Sequence, residues 1–121
     1  MIRSNNKQTK QYQTYPDGWG TSYGITDRRI TETKQEVIHF AESVVGERRF
    51  WDAQVLGVRI DKAVLVPYDS KVDADDLFVI DGKQYEVRQK QGYDKTVPRS
   101  WLLSLSESVI TYRRQNNGGQ G

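Results

Sequence analysis

Between Val37 and Glu107, short runs of β-branched and aromatic residues are separated by turn signals, and one brief segment among them has helical spacing. The tightest constraint within that stretch is Asp81-Gly82. It lies between Leu77–Ile80 and Gln84–Arg88, and a two-residue turn of this kind joins antiparallel neighbours because Asp and Gly tolerate the positive φ it demands. The alternation across the turn places Tyr85 and Val87 on a core face and Glu86 and Arg88 toward solvent.

The flanking segments extend the same pattern. Thr31–Ser43 is rich in residues that favour strands, with Val37 and His39 on one face and Ile38 and Phe40 on the other. Ile60–Tyr68 contains the continuous apolar run Ala63-Val64-Leu65-Val66, which implies burial on both faces, and Pro67 places its end at an edge or a bulge. Trp101, Leu103 and Leu105 alternate with Leu102, Ser104 and Ser106 in a half-buried last strand. Gly46–Gly57 is the one helix candidate. Glu47 suits its first turn, Gly57 its C′ position, and Phe50, Trp51, Ala53, Val55 and Leu56 give it an apolar side. So short a helix is marginal alone and must dock on its own domain or on a neighbour.

The expected fold class is therefore mainly β: a small closed or nearly closed β-barrel of about six strands with one short α-helix. The 121 residues suffice for one domain, with only 36% apolar residues. Much of the polarity sits at the ends. Met1–Lys10 and Arg113–Gly121 read as flexible arms, leaving an ordered barrel over about 25–112. Gln8–Tyr15 reads as an edge strand or part of the arm, Pro16-Asp17-Gly18 as a turn, and Trp19–Gly24, Asp69–Asp76 and Gln89–Pro98 as loops.

The formal charge of +2 is mild. Basic pairs occur at Arg28-Arg29, Arg48-Arg49 and Arg113-Arg114, and each also suits a solvated surface. The absence of cysteine removes disulfide and thiol chemistry. No segment reaches the roughly 18 apolar residues of a membrane span, and the N-terminus lacks the apolar core of a secretory signal, so a cytosolic soluble chain is expected.

Candidate chemistry is sparse. His39 is the single histidine and lies mid-strand, and one histidine without cysteine supplies no zinc site. Asp73, Asp75 and Asp76 lack the glycine and the ligand spacing of a calcium loop and read as a solvated turn. The glycines at 18, 20 and 24 neither follow a buried strand nor open a helix, so they form no phosphate cradle. Glu42 and Glu47 have no fixed separation that would suit glycoside hydrolysis. The reading is no enzyme, no cofactor and no metal.

The ordered set of segments resembles the head–tail joining proteins of tailed bacteriophages, also called head closure or stopper proteins. The resemblance is carried by Phe40-Ala41-Glu42-Ser43, Gly46-Glu47-Arg48-Arg49-Phe50-Trp51-Asp52-Ala53, Gly57-Val58-Arg59-Ile60 leading into Ala63-Val64-Leu65-Val66, the hairpin Phe78–Val87, and Trp101-Leu102-Leu103-Ser104-Leu105. It implies a virion structural protein that collects in the host cytoplasm and then sits at the head–tail interface. Such a protein forms a homo-oligomeric ring, usually of twelve, under the portal and its adaptor. There it retains packaged double-stranded DNA and presents a platform to the tail terminator or tail-completion protein. The segment from Ser43 to Ile60 would be the interface and channel region, with Ser43, Arg48, Arg49, Phe50, Trp51 and Arg59 as its residues. Two alternatives remain: a tail-terminator or tail-completion protein of the same neck, and a small cellular nucleic-acid-binding barrel that stacks bases on Trp19, Tyr23, Trp51 and Tyr93.

Overall fold

The computed structural model describes residues 11–43, 57 and 59–114. Its strands are β1 (Gln11–Tyr12), β2 (Gly18–Thr26), β3 (Arg29–Ser43), β4 (Lys62–Pro67), β5 (Leu77–Ile80), β6 (Lys83–Tyr93), β7 (Thr96–Val97), β8 (Ser100–Glu107) and β9 (Arg113–Arg114). Six of them follow each other in the order β2-β5-β6-β8-β4-β3, and β3 pairs back onto β2. The protein is thus mainly β, with six strands joined in a closed ring. The helix expected at Gly46–Gly57 lies almost wholly outside the described residues, and no helix occurs among those described.

The inside of the strand ring is filled by side chains that alternate along each strand. Ile38 and Phe40 come from β3, Val64 and Val66 from β4, Phe78 from β5, Tyr85 and Val87 from β6, and Leu103 and Leu105 from β8. The β5–β6 hairpin forms as its turn chemistry dictates, with φ of 51° at Asp81 and 79° at Gly82, and Tyr85 and Val87 are core residues as expected. In β4, Ala63 and Leu65 are buried along with Val64 and Val66, matching the continuous apolar run.

Four expectations are corrected. Trp19–Gly24 is not a loop but the heart of β2. Its large residues Trp19, Thr21 and Tyr23 alternate with buried Gly20, Ser22 and Gly24, so a period-2 pattern is present with small residues inward. The ordered part therefore begins well before residue 25, and β1 pairs in parallel with β7. Gln89–Pro98 is a loop only in part: β6 continues to Tyr93 past an irregularity between Val87 and Gln89 and pairs with β8 throughout, and the connection that remains from Asp94 to Pro98 carries β7. It is polar because its side chains are only partly covered. The C-terminal arm does not begin at residue 113: Arg113 and Arg114 form β9, parallel to Arg29 and Ile30 of β3.

The Asp69–Asp76 connection is polar in composition, yet it closes one end of the strand ring. Val72 is fully buried in the core cluster. Around it the connection, together with Tyr68 just before it, is fastened to four strands. The Ser22 hydroxyl donates to the Lys71 carbonyl at 2.7 Å, and the Lys71 amide to Gln35 Oε1 at 2.8 Å. The Asp75 amide donates to the Val87 carbonyl at 2.8 Å, and Trp101 Nε1 to the Tyr68 carbonyl at 2.8 Å. The strand ring is a packed core with a plug, not a pore.

The β2–β3 hairpin is the longest feature. The 15 residues of β3, at about 3.3 Å each, span roughly 45–50 Å. Its tip turns through Asp27 and Arg28, with φ of 54° and 65°. This is the same two-residue geometry as Asp81-Gly82, here without glycine. An L-residue held there costs roughly 1–2 kcal/mol, and aspartate tolerates the region better than arginine does.

Candidate functional site

Two ends of the molecule carry distinct chemistry. At one end β3 finishes at Ser43, which lies directly across from Ala63 of β4. The chain between them therefore leaves and re-enters the strand ring at one point, and the ring closes without it. Of the six residues assigned to the interface and channel, Ser43 and Arg59 flank this root, whereas Arg48, Arg49, Phe50 and Trp51 lie outside the described residues. Ser43 is half-buried. Arg59 is 86% exposed and its Nε meets Asp61 Oδ1 at 2.7 Å, while its carbonyl accepts the Ser106 hydroxyl. Beside the root, Lys62 Nζ reaches Glu42 Oε2 at 2.8 Å. A shallow depression of ≈ 360 Å³ next to Arg59 is lined by Asp61, Arg88, Ser106 and Glu107.

Buried serines make the fastenings. Ser22 holds the plug, Ser100 Oγ lies 2.7 Å from the Tyr15 hydroxyl, and Ser106 holds Arg59. In an apolar interior these hydroxyls are kept because each has a partner. Sequence reading placed Ser104 and Ser106 merely on the polar face of a half-buried strand, yet both are buried.

The opposite end carries a charge network that sequence reading missed. Lys34 of β3 bonds Asp76 at 2.8 Å and Asp73 at 3.3 Å, and Lys90 of β6 bonds Asp73 at 2.8 Å. Asp76 Oδ2 also accepts the Asp73 amide at 2.7 Å, and its side chain is only 9% exposed. The acidic turn is thus a buckle on the plug rather than a solvated turn. Lys90 continues over the Trp101 ring at 4.3 Å; Trp101 stacks on Tyr68 at 4.4 Å, and Arg99 covers the far face of Tyr68 at 4.6 Å. Both rings are therefore filled on both faces by cations or by each other. The only signal for this in the sequence was the aspartate spacing, and its lysine partners lie 42 positions before and 17 after.

Hydrogen bonding from Lys90, then from Lys34, holds the Asp73 carboxyl below its ordinary value against an opposing effect of burial. For Lys34, burial disfavours the ammonium, but Asp76 and Asp73 outweigh it and raise the value above 10.5. A depressed carboxylate contributes stability above its unfolded value of about 3.9, and loses that contribution as pH falls through the folded value. The raised Lys34 contributes at all lower pH and is lost only in strong alkali. Thermal melts taken from about pH 6 to about pH 2.5 should therefore show a smaller acid loss of Tm for Asp73→Asn than for the wild type. Parallel curves would mean that the buckle adds nothing.

His39 lies on the outward face opposite Trp19. No group of three or more His, Asp or Glu among the described residues could hold a metal ion. Tyr112 donates to Glu86 Oε2 at 2.8 Å, and burial, then that carboxylate, hold its phenol above the usual tyrosine range. No helix among the described residues is long and apolar enough to cross a membrane.

No family model, no curated protein and no solved structure matches this chain.

Proposed function

We propose that the protein is a structural subunit of a tailed-phage neck, a head-closure or stopper protein. It assembles as a ring of about a dozen copies under the portal and adaptor, holds packaged double-stranded DNA in the head and receives the tail. The observation that carries this reading is the root at Ser43 and Ala63. The plugged strand ring is complete without the stretch that follows Ser43, and in that stretch the resemblance places the stopper and interface residues Arg48, Arg49, Phe50 and Trp51. A body with a packed core that is complete without this stretch suits a repeated assembly.

Oligomeric rings use heterologous contacts, in which one face meets a different face of the next copy. Two separate exposed apolar patches suit that demand. Trp19 (52% exposed) and Val37 (47%) share the outward face of the β2–β3 hairpin, and Tyr12 (86%) and Val97 (45%) pair on β1 and β7. Exposed apolar patches of this kind mark contact surfaces. On this reading Arg48, Arg49 and Arg59 face the channel and touch phosphates without reading sequence.

The test is co-sedimentation of the purified protein with filled heads that lack tails, with DNA release followed in parallel. Binding in ring-like number with retention of DNA is expected, and Arg48→Glu with Arg49→Glu should raise DNA leakage. Heads that retain DNA equally well without the protein would overturn the reading. Binding to tails alone would instead favour a tail-terminator or tail-completion role.

A further inference from the structure

The two basic pairs Arg28-Arg29 and Arg113-Arg114 are more than eighty residues apart in sequence, and the β3–β9 ladder brings them together. Arg29 lies directly across from Arg113, and all four side chains are exposed. Arg114 is anchored, with Nη2 on Thr33 Oγ1 at 2.8 Å and its guanidinium over Tyr23 at 5.7 Å.

The other described arginines are engaged. Arg59 meets Asp61, Arg88 meets Glu86, and Arg99 covers Tyr68. Among the described residues no ion pair involves Arg28, Arg29, Arg113 or Arg114. Like charges directly across a ladder are destabilising, and β9 holds by only two residues. The acidic groups nearby do not cancel the charge. Glu86 is taken up by Arg88 and Tyr112, Glu32 lies against Gly24, and Asp27 sits in the turn itself. Asp75 lines the same depression as Arg28, so four arginines against Asp27, Glu32 and Asp75 leave one net positive charge at the tip.

We infer that the β2–β3 tip with β9 is a binding site for the phosphate backbone of nucleic acid, with Arg28, Arg29, Arg113 and Arg114 as its contacts. Guanidinium groups bind phosphate oxygens in bidentate fashion, and a phosphate seated between Arg29 and Arg113 turns their mutual repulsion into attraction. The side chains project from a strand edge, and guanidinium contact with phosphate oxygens carries no sequence information, so contact with the backbone rather than with sequence is expected. The site stands at the opposite end of β3 from Ser43 and does not depend on the neck reading.

The test measures binding of a fluorescent random-sequence duplex of about 24 base pairs to the full chain, between about 50 and 200 mM salt. Four phosphate contacts give a slope of log K against log salt of about −3.6, a loss of roughly a hundredfold over that range. Arg29→Ala with Arg113→Ala should halve the slope, while Lys83→Ala, at the Asp81-Gly82 hairpin, should leave it unchanged. All three positions are exposed, and unaltered thermal melts confirm that folding is intact. Poly-glutamate of matching charge is the second arm. The proposal is overturned if the wild type ignores the duplex at low salt, if the double substitution binds like the wild type, or if poly-glutamate binds and the duplex does not.

Discussion

Phe78→Ala should destabilise the protein by about 3–5 kcal/mol. Phe78 is fully buried and meets Phe40 edge-on, with ring centroids 6.4 Å apart. It also comes from β5, the shortest strand of the closed ring, which spans only four residues. A domain of this size has roughly 5–15 kcal/mol in total, so one truncation removes a large share. Urea unfolding should show a much lower midpoint with an unchanged slope, since the surface exposed on unfolding hardly changes. A loss below about 1 kcal/mol would contradict the packing described here, because deleting a buried phenyl normally costs several times that.

Gly20→Val should cost about 3 kcal/mol or more, by the opposite route of overfilling. A Cβ at Gly20 would stand 2.8 Å from Phe78 Cζ and 2.8 Å from the Val79 carbonyl oxygen. The phenyl ring can swing aside, but the carbonyl belongs to the β5 backbone. The β2–β5 seam is only three pairs long, Thr21 with Val79, Ser22 with Phe78 and Tyr23 with Leu77. Relieving the clash therefore means opening the strand ring at that seam. The two substitutions are in contact and should not add. With Phe78→Ala in place, Gly20→Val should lose part of its cost but not all, because the clash with the Val79 oxygen remains. Full additivity in that double-mutant cycle would show that β2 and β5 do not approach as closely as described.

How much of this was legible in the sequence depended on how local each cause is. Asp81-Gly82 specifies its own hairpin, and Val64 and Val66 announce their burial by composition, so both were readable. Trp19–Gly24 was misread because glycine was taken as a strand breaker. Here Gly20 marks where Phe78 presses on the backbone, a contact with a residue 58 positions away. Gln89–Tyr93 was misread because polar composition was taken to mean loop, and only its pairing with β8 makes it a strand. Val72 was hidden among polar neighbours. The candidate site was the least legible part. The Lys34–Asp76 and Arg29–Arg113 encounters are products of the closed topology, and no local pattern encodes them.

The position of Ser43 beside Ala63 also bears on how the chain folds and how it varies. The seams that complete the strand ring, β2 with β5 and β3 with β4, join segments separated by long stretches of chain. Their closure entropy comes before any reward, so folding belongs to the slower, millisecond-to-second class of all-β domains, although the β2–β3 hairpin itself forms within microseconds. For the β3–β4 seam that entropy grows only with the logarithm of the intervening length, and doubling the length adds about 0.6 kcal/mol. The stretch between Ser43 and Ala63 can therefore lengthen, shorten or be exchanged over generations with little effect on the stability of the body that carries it.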